Sequence, residues 1–491
     1  MVLLLKLFVT FTLLLSATYA LPLEVEKALK KSGLSKEEVS LYIQEIGASQ
    51  PLVTLHPDTL RRPASVIKVL TTYASLLKFG FSYRIPTSFY RVGKMTHGVL
   101  HGDLAIKAMG DPTLNSEDIE QIAKALAKRG LRKITGDLLI DRSYFDVGSS
   151  NNSHFDKHTY SPYNAMPDAM MFNERISRIY VTPNKKSVVK KRADQSYKVV
   201  DNLQLVNKKC RGKYSWPQLK VDNSHEKPWL IFHGKISQKC GRRTISKVVT
   251  QPYKSLYYGL REALKKEGIT LQGGLRLAPL PPRAKRFYTH FSDTLEKIVS
   301  TTAKKSNNLY ARHLMLLLGA KCYGAPATLE KGRRAVKHTL ESYGIVSKEP
   351  YFIDNGCGLS RKATLSARFL SSLFIHAFKH DGKRWMRTLS IAGVDGTIRK
   401  RFRGTKVAKH AWMKTGTLNH AKNIGGYVQS KEGKYYTVVI LVNSKKGNWR
   451  ASFLENEVIK WVRSYHTPKP TPSVVPKEKN VTQAPLSEAL F

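Results

Sequence analysis

The chain has 491 residues, too many for one ordinary core, and length alone implies two to four domains. With 42% hydrophobic and 10% aromatic residues, the composition excludes a disordered or coiled-coil protein. The formal charge of +46 points to an anionic polymer as partner.

In chain order, residues 1–20 read as a cleavable export signal. Lys6 gives a short basic start, Leu7 to Leu15 an apolar run, and Ser16-Ala-Thr-Tyr-Ala20 a small-residue exit. Export turns the anionic partner from nucleic acid, which is not expected, to an acidic wall or membrane surface, and places the protein in the periplasm or another extracytoplasmic space. An exported chain with four cysteines, Cys210, Cys240, Cys322 and Cys357, suggests disulfides, with three connectivities open. No metal-binding spacing accompanies them, so neither a metal nor an organic cofactor is expected.

Leu23 to Leu34 has helical spacing, and Val39 to Ile46 with Leu52 to Leu55 reads as a hairpin. Ser65 to Gly80 repeats its apolar positions at three and four, as a helix does. From about Ser82 to Leu277 the pattern becomes strands, turns and basic loops. Residues 185–247 hold 17 Lys or Arg against four acidic side chains. Helical periodicity returns in Asp293 to Lys305 and Tyr310 to Leu318. Trp412 to Thr417, Ile424 to Gln429 and Tyr435 to Val442 read as strands, and Trp449 to Tyr465 as an amphipathic helix. A Pro-rich tail, 467–491, is expected to be disordered. This order suggests one α/β domain, 21–81 plus 281–466, split by inserted material at 82–280.

Three short patterns can carry chemistry. In Ser65-Val-Ile-Lys68, helical spacing brings Lys68 to the Ser65 hydroxyl, and a desolvated lysine is a base that activates a serine. In Ser306-Asn-Asn308, between two helices, the hydroxyl can relay a proton to a leaving amine and the Asn308 amide can hold a substrate backbone. In Lys414-Thr-Gly-Thr417, on a strand, Lys414 and Thr415 suit a terminal carboxylate and Gly416 allows close approach. The N–H groups of Thr417 and Ser65 suit an oxyanion hole. Each pattern alone is weak, since Ser187-Val-Val-Lys190, Ser150-Asn-Asn152 and Lys31-Ser-Gly33 imitate them. Their order, on helix, interhelical loop and strand, is the stronger signal.

Together they resemble the motifs of penicillin-recognising serine enzymes. The 238 positions from Lys68 to Ser306 look like the class C low-molecular-mass group, the penicillin-binding protein 4 type of D-Ala-D-Ala carboxypeptidase/endopeptidase in serine peptidase family S13. Gly110-Asp-Pro-Thr-Leu114, Asp354-Asn-Gly-Cys-Gly-Leu-Ser-Arg361 and Ala392-Gly-Val-Asp-Gly-Thr397 agree with it, while Asn307 and Cys357 depart from its pattern. The resemblance implies a transpeptidase/β-lactamase-like α/β (α+β) sandwich, an antiparallel sheet covered by helices, with one or two inserted mostly β domains. It implies that Ser65, Lys68 and Ser306 act on peptidoglycan peptides, that Asn308, Lys414, Thr415 and Thr417 bind them, and that β-lactams acylate Ser65. It also implies that an acidic residue of the insertion, Asp156 or else Asp141, faces the stem peptide's amino group, with Arg361 nearby. Cys357, replacing a serine, suggests a disulfide with Cys322. The alternatives are a β-lactamase-like hydrolase and a non-catalytic cell-wall-binding scaffold.

Overall fold

A computed structural model of the protein describes residues 21–467. The export signal and all but the first residue of the Pro-rich tail lie outside the described residues. Among those described, no helix is long and apolar enough to cross a membrane.

A six-stranded sheet organises the site. Its order is Ser390–Ile391, Ala411–Leu418, Ala421–Gln429, Tyr435–Val442, Val39–Glu45 and Val53–Leu55, antiparallel throughout. The register Val39↔Val442 to Glu45↔Tyr436 joins the N-terminal hairpin to the C-terminal strands. Alternate residues of a strand face opposite sides. Thus Ile43, Val438 and Ile440 enter one core with the helices Leu23–Ser32 and Asn448–Ser464. Tyr42, Val439 and Leu441 enter the other, with Lys68–Phe79, Asn308–Tyr323 and Ala367–Met386. A sheet buried on both faces explains the unbroken apolar run Val438-Val-Ile-Leu-Val442. The expected helix-covered antiparallel sandwich is the fold found.

The second core continues, through Phe89, Leu104, Ile119 and Leu260, into a seven-stranded sheet that includes Arg84–Thr96, Val99–Ala108 and Lys285–Thr294. Two helices of this region were not anticipated, Ser116–Lys128 and Pro252–Lys266. Both carry starting signals. The Asn115 side chain accepts from the N–H groups of Glu117 and Asp118, and Pro252 sits in the first turn of its helix. Two three-stranded sheets between them enclose a smaller core of Ile179, Leu230, Phe232 and Ile236.

Cys210 and Cys240 are bonded, while Cys322 and Cys357 are free. The suggested Cys322–Cys357 bond is therefore corrected. Cys357 is buried in a turn, where its Sγ donates to Asn355 Oδ1 at 3.0 Å.

Candidate active site

Ser65 lies in a 3-10 turn, Ala64–Ile67, that runs directly into the helix Lys68–Phe79. Two glycines close over its backbone. A Cβ on Gly358 would stand 2.0 Å from Ala64 O, and one on Gly416 would stand 2.9 Å from Ser65 N. Only glycine fits either position, so the strand Ala411–Leu418 and the 354–361 turn both reach the serine. Ala64 is held at φ +48°, a strained conformation of the kind found beside reacting groups.

Lys68 is fully buried. Its Nζ donates to Ser65 Oγ at 2.8 Å, to Asn308 Oδ1 at 2.7 Å and to the Cys357 carbonyl. Burial pushes its pKa down to about 8; the neighbouring Cys357 opposes the shift and the cation of Arg312 adds to it. At pH 7 about a tenth is then free amine, far more than for an ordinary lysine, and able to take the Ser65 proton.

Lys414 is also fully buried, and its Nζ donates to Ser306 Oγ at 3.0 Å and to Thr415 O at 2.6 Å. Burial, then the nearby Lys68, holds its pKa well below the usual lysine range. Ser306 sits at φ +54° in the break between Leu295–Lys304 and Asn308–Tyr323. The three motifs thus supply two serine–lysine couples, Ser65–Lys68 and Ser306–Lys414, each hydrogen-bonded within itself. Thr415 Oγ1 donates to Thr397 Oγ1 at 2.8 Å. Thr417 is exposed at the rim, where its hydroxyl accepts from Lys422 at 3.1 Å. Beyond Met413 the Ala411–Leu418 strand has no strand partner on its Ser390–Ile391 side among the described residues, which leaves an edge open next to Ser65.

Asn308 lines the cleft: its Oδ1 accepts from Lys68 and one Nδ2 hydrogen goes to Tyr163 O at 2.9 Å, which leaves the second Nδ2–H free to donate to a substrate carbonyl. The imitating patterns fall elsewhere. Ser187–Lys190 is a strand, and Lys190 Nζ turns to the carbonyls of Asp194 and Tyr197.

A cleft of about 660 Å³ opens over Ser65, Ser306 and Asn308 and reaches Asp156, Arg361 and Thr417. Asp156 accepts from Tyr163 Oη at 2.8 Å, Asn164 Nδ2 at 2.8 Å and His158 N at 2.9 Å. Partial burial favours its neutral form, but these donors prevail and hold its pKa below the usual carboxylate value. Arg361 lies over the Phe155 ring at 4.7 Å and donates to Phe155 O. It makes no ion pair among the described residues. Asp141 is ruled out as a cleft residue: it is buried and accepts from Ser143 and Leu280 N. The Cys357 carbonyl and Thr397 were not anticipated as parts of the site, although the segments containing both were noted.

Residues 21–465 match the D-Ala-D-Ala carboxypeptidase 3 (S13) family. The chain belongs to that family. It is a serine peptidase, a hydrolase. It is 25% identical over 455 residues, 88% of this chain and 91% of the relative, to D-alanyl-D-alanine carboxypeptidase DacB of Haemophilus influenzae. The crystal structure of penicillin binding protein 4 from that organism has TM-score 0.77 at 23% identity, covering 90% of this chain and 99% of the other. A second structure of that protein, complexed with a β-lactam, has TM-score 0.73 at 24% identity and covers 90% and 100%.

Proposed function

We propose that this peptidase cuts D-Ala–D-Ala-like bonds of peptidoglycan stem peptides through an acyl-enzyme on Ser65. The observation that carries this is the 2.8 Å hydrogen bond between Ser65 Oγ and a fully buried lysine whose pKa burial lowers to about 8. The substrate strand adds to the open edge at Thr415–Thr417, with its terminal carboxylate toward Lys414 and Thr415. Ser65 Oγ attacks the carbonyl carbon of the penultimate D-Ala as its proton passes to Lys68. The N–H groups of Ser65 and Thr417 hold the oxyanion. The C–N bond breaks as Ser306 gives its proton to the departing amine and takes one from Lys414. Water then attacks the ester as its proton passes through Ser306 back to Lys414, and Lys68 returns its proton to the leaving Ser65 oxygen. The same steps remove a terminal D-Ala or open a cross-link. β-Lactams acylate Ser65 as mimics of the acyl donor. In this reading residues 82–280 are an insertion into the catalytic domain, the protein works outside the cytoplasm, and residues 1–20 direct its export.

The side chain of the stem peptide's diamino acid lies between Asp156 and Arg361. Asp156 offers a solvated, ionised carboxylate to a free ammonium. Asp156→Asn should lower kcat/KM about tenfold or more on a stem peptide with a free side-chain amine, the scale of a charge-assisted hydrogen bond. The N-acetylated peptide should lose little. Equal losses on the two substrates would remove Asp156 from this role. Release of terminal D-Ala from the free-amine peptide by the wild type tests the activity itself.

The basic surface is read as the contact for an anionic wall or membrane polymer. Lys208, Lys209, Arg211, Lys213, Lys239 and Arg242 are exposed around the Cys210–Cys240 bond, and residues 202–221 contain no acidic side chain. The module joins the cleft wall at Tyr160, whose hydroxyl accepts from Asn223 at 2.9 Å and whose carbonyl accepts from Val248 N at 2.9 Å. Co-sedimentation with a purified anionic wall polymer should be strong at low salt and weaken steeply as added salt shortens the screening length to about 3 Å near 1 M. Substituting Glu at positions 208, 209, 211 and 213 should abolish it. Equal sedimentation of wild type and variant would exclude this surface.

A further inference from the structure

Asn173, Glu174 and Arg175 are three consecutive residues, none of them glycine, at φ +47°, +54° and +59°. Each such residue is strained, and a run of three persists only where its surroundings overdetermine it. Here both flanks are fixed. Asn173 N donates to Leu114 O at 3.0 Å, and its Nδ2 donates to Ser116 Oγ at 2.9 Å. Arg175 is buried and donates to Met166 O at 2.9 Å and to Gln251 Oε1 at 2.6 Å.

Glu174, between these anchors, turns toward the second motif. Its Oε2 accepts from Asn307 Nδ2 at 3.3 Å and its Oε1 from Tyr310 Oη at 3.4 Å. A carboxylate is an acceptor only, so it takes the nitrogen end of the Asn307 amide. The oxygen end is left to cap the helix Asn308–Tyr323, accepting from Tyr310 N at 3.1 Å. Asn307 is flanked by Ser306, which meets Lys414, and by Asn308, which meets Lys68.

We propose that Glu174 is a positioning residue for the reaction. The strained turn clamps Asn307, and through it sets the backbone that presents Ser306 and Asn308. This rests on the reading of those two residues as parts of the site. It also gives a reason for the departure at 307: an amide there can donate to Glu174, whereas an aspartate would face it with a second acceptor-only carboxylate.

The test is a double-mutant cycle read by the rate of Ser65 acylation with a penicillin at neutral pH, for wild type, Glu174→Gln, Asn307→Asp and the double variant. Asn307→Asp should acylate about tenfold or more slowly, because like charges in direct contact disrupt the clamp. Adding Glu174→Gln should restore the rate to within about threefold of wild type, since the new amide can donate to the new carboxylate. Glu174→Gln alone keeps an acceptor for Asn307 and should lose only a few-fold. A role in fold stability alone would not give this reciprocal rescue. The proposal is overturned if Asn307→Asp acylates like wild type, or if the double variant is no faster than Asn307→Asp. If the wild type itself is not acylated, the acyl-enzyme reading fails as well; acylation without rescue removes the Glu174 role alone.

Discussion

Ser65→Ala is expected to lower D-Ala release from a D-Ala–D-Ala stem peptide by about 10⁴-fold or more, with little change in fold stability. Removing the nucleophile of a serine hydrolase leaves only the contribution of oxyanion and binding contacts, and losses near 10⁶ occur when the group acts as one unit with its base. Ten-thousand-fold corresponds to about 5–6 kcal/mol of transition-state stabilisation. The half-buried Ser65 hydroxyl is hydrogen-bonded to Lys68 and, at 3.4 Å, to the Cys357 carbonyl. The Ala64–Ile67 turn is held by its neighbours, not by that hydroxyl, so the variant should unfold at nearly the wild-type temperature. Activity of Ser65→Ala within tenfold of wild type would move the nucleophile elsewhere.

The second large effect concerns Lys68. Lys68→Met keeps the buried stem and removes the base, and acylation should fall by about 10³–10⁴-fold. Its pH dependence distinguishes a base from a packing residue. Burial lowers the Lys68 pKa to about 8, so the ammonium predominates below that pH and the free amine above it. The wild-type acylation rate should therefore climb about tenfold per pH unit below 8 and level off above. The residual rate of Lys68→Met should lack this rise. A wild-type profile flat between pH 6 and 9 would remove Lys68 as the base.

The local chemistry was legible in the sequence because it rides on short, strongly patterned elements. Ser65 and Lys68 are three residues apart at a helix start, and Lys414 to Thr417 lie on a strand whose alternation is plain. The sandwich came with the family resemblance: the pattern alone marked Val39 to Ile46 and Tyr435 to Val442 as strands, but not as partners, because their pairing joins residues about 400 positions apart. Backbone groups were not legible: the Cys357 carbonyl accepts from Lys68 whatever side chain it carries. The free thiols were misread because an even cysteine count says nothing of a thiol satisfied inside its own turn. Helix Ser116–Lys128 had its capping signal in Asn115, but it lies inside a basic, strand-rich stretch that masked the period. Glu174 gave no local signal, because its partner Asn307 is 133 positions away and the geometry joining them is a strained turn.

The central claim, that Ser65 is the acylated nucleophile, is tested most directly by intact-protein mass after incubation with a penicillin, wild type beside Ser65→Ala. The account predicts a lasting adduct of one penicillin mass on the wild type and none on the variant. An adduct on both, or no adduct and no drug consumed by the wild type, would contradict it; drug consumed without a lasting adduct would instead show a β-lactamase.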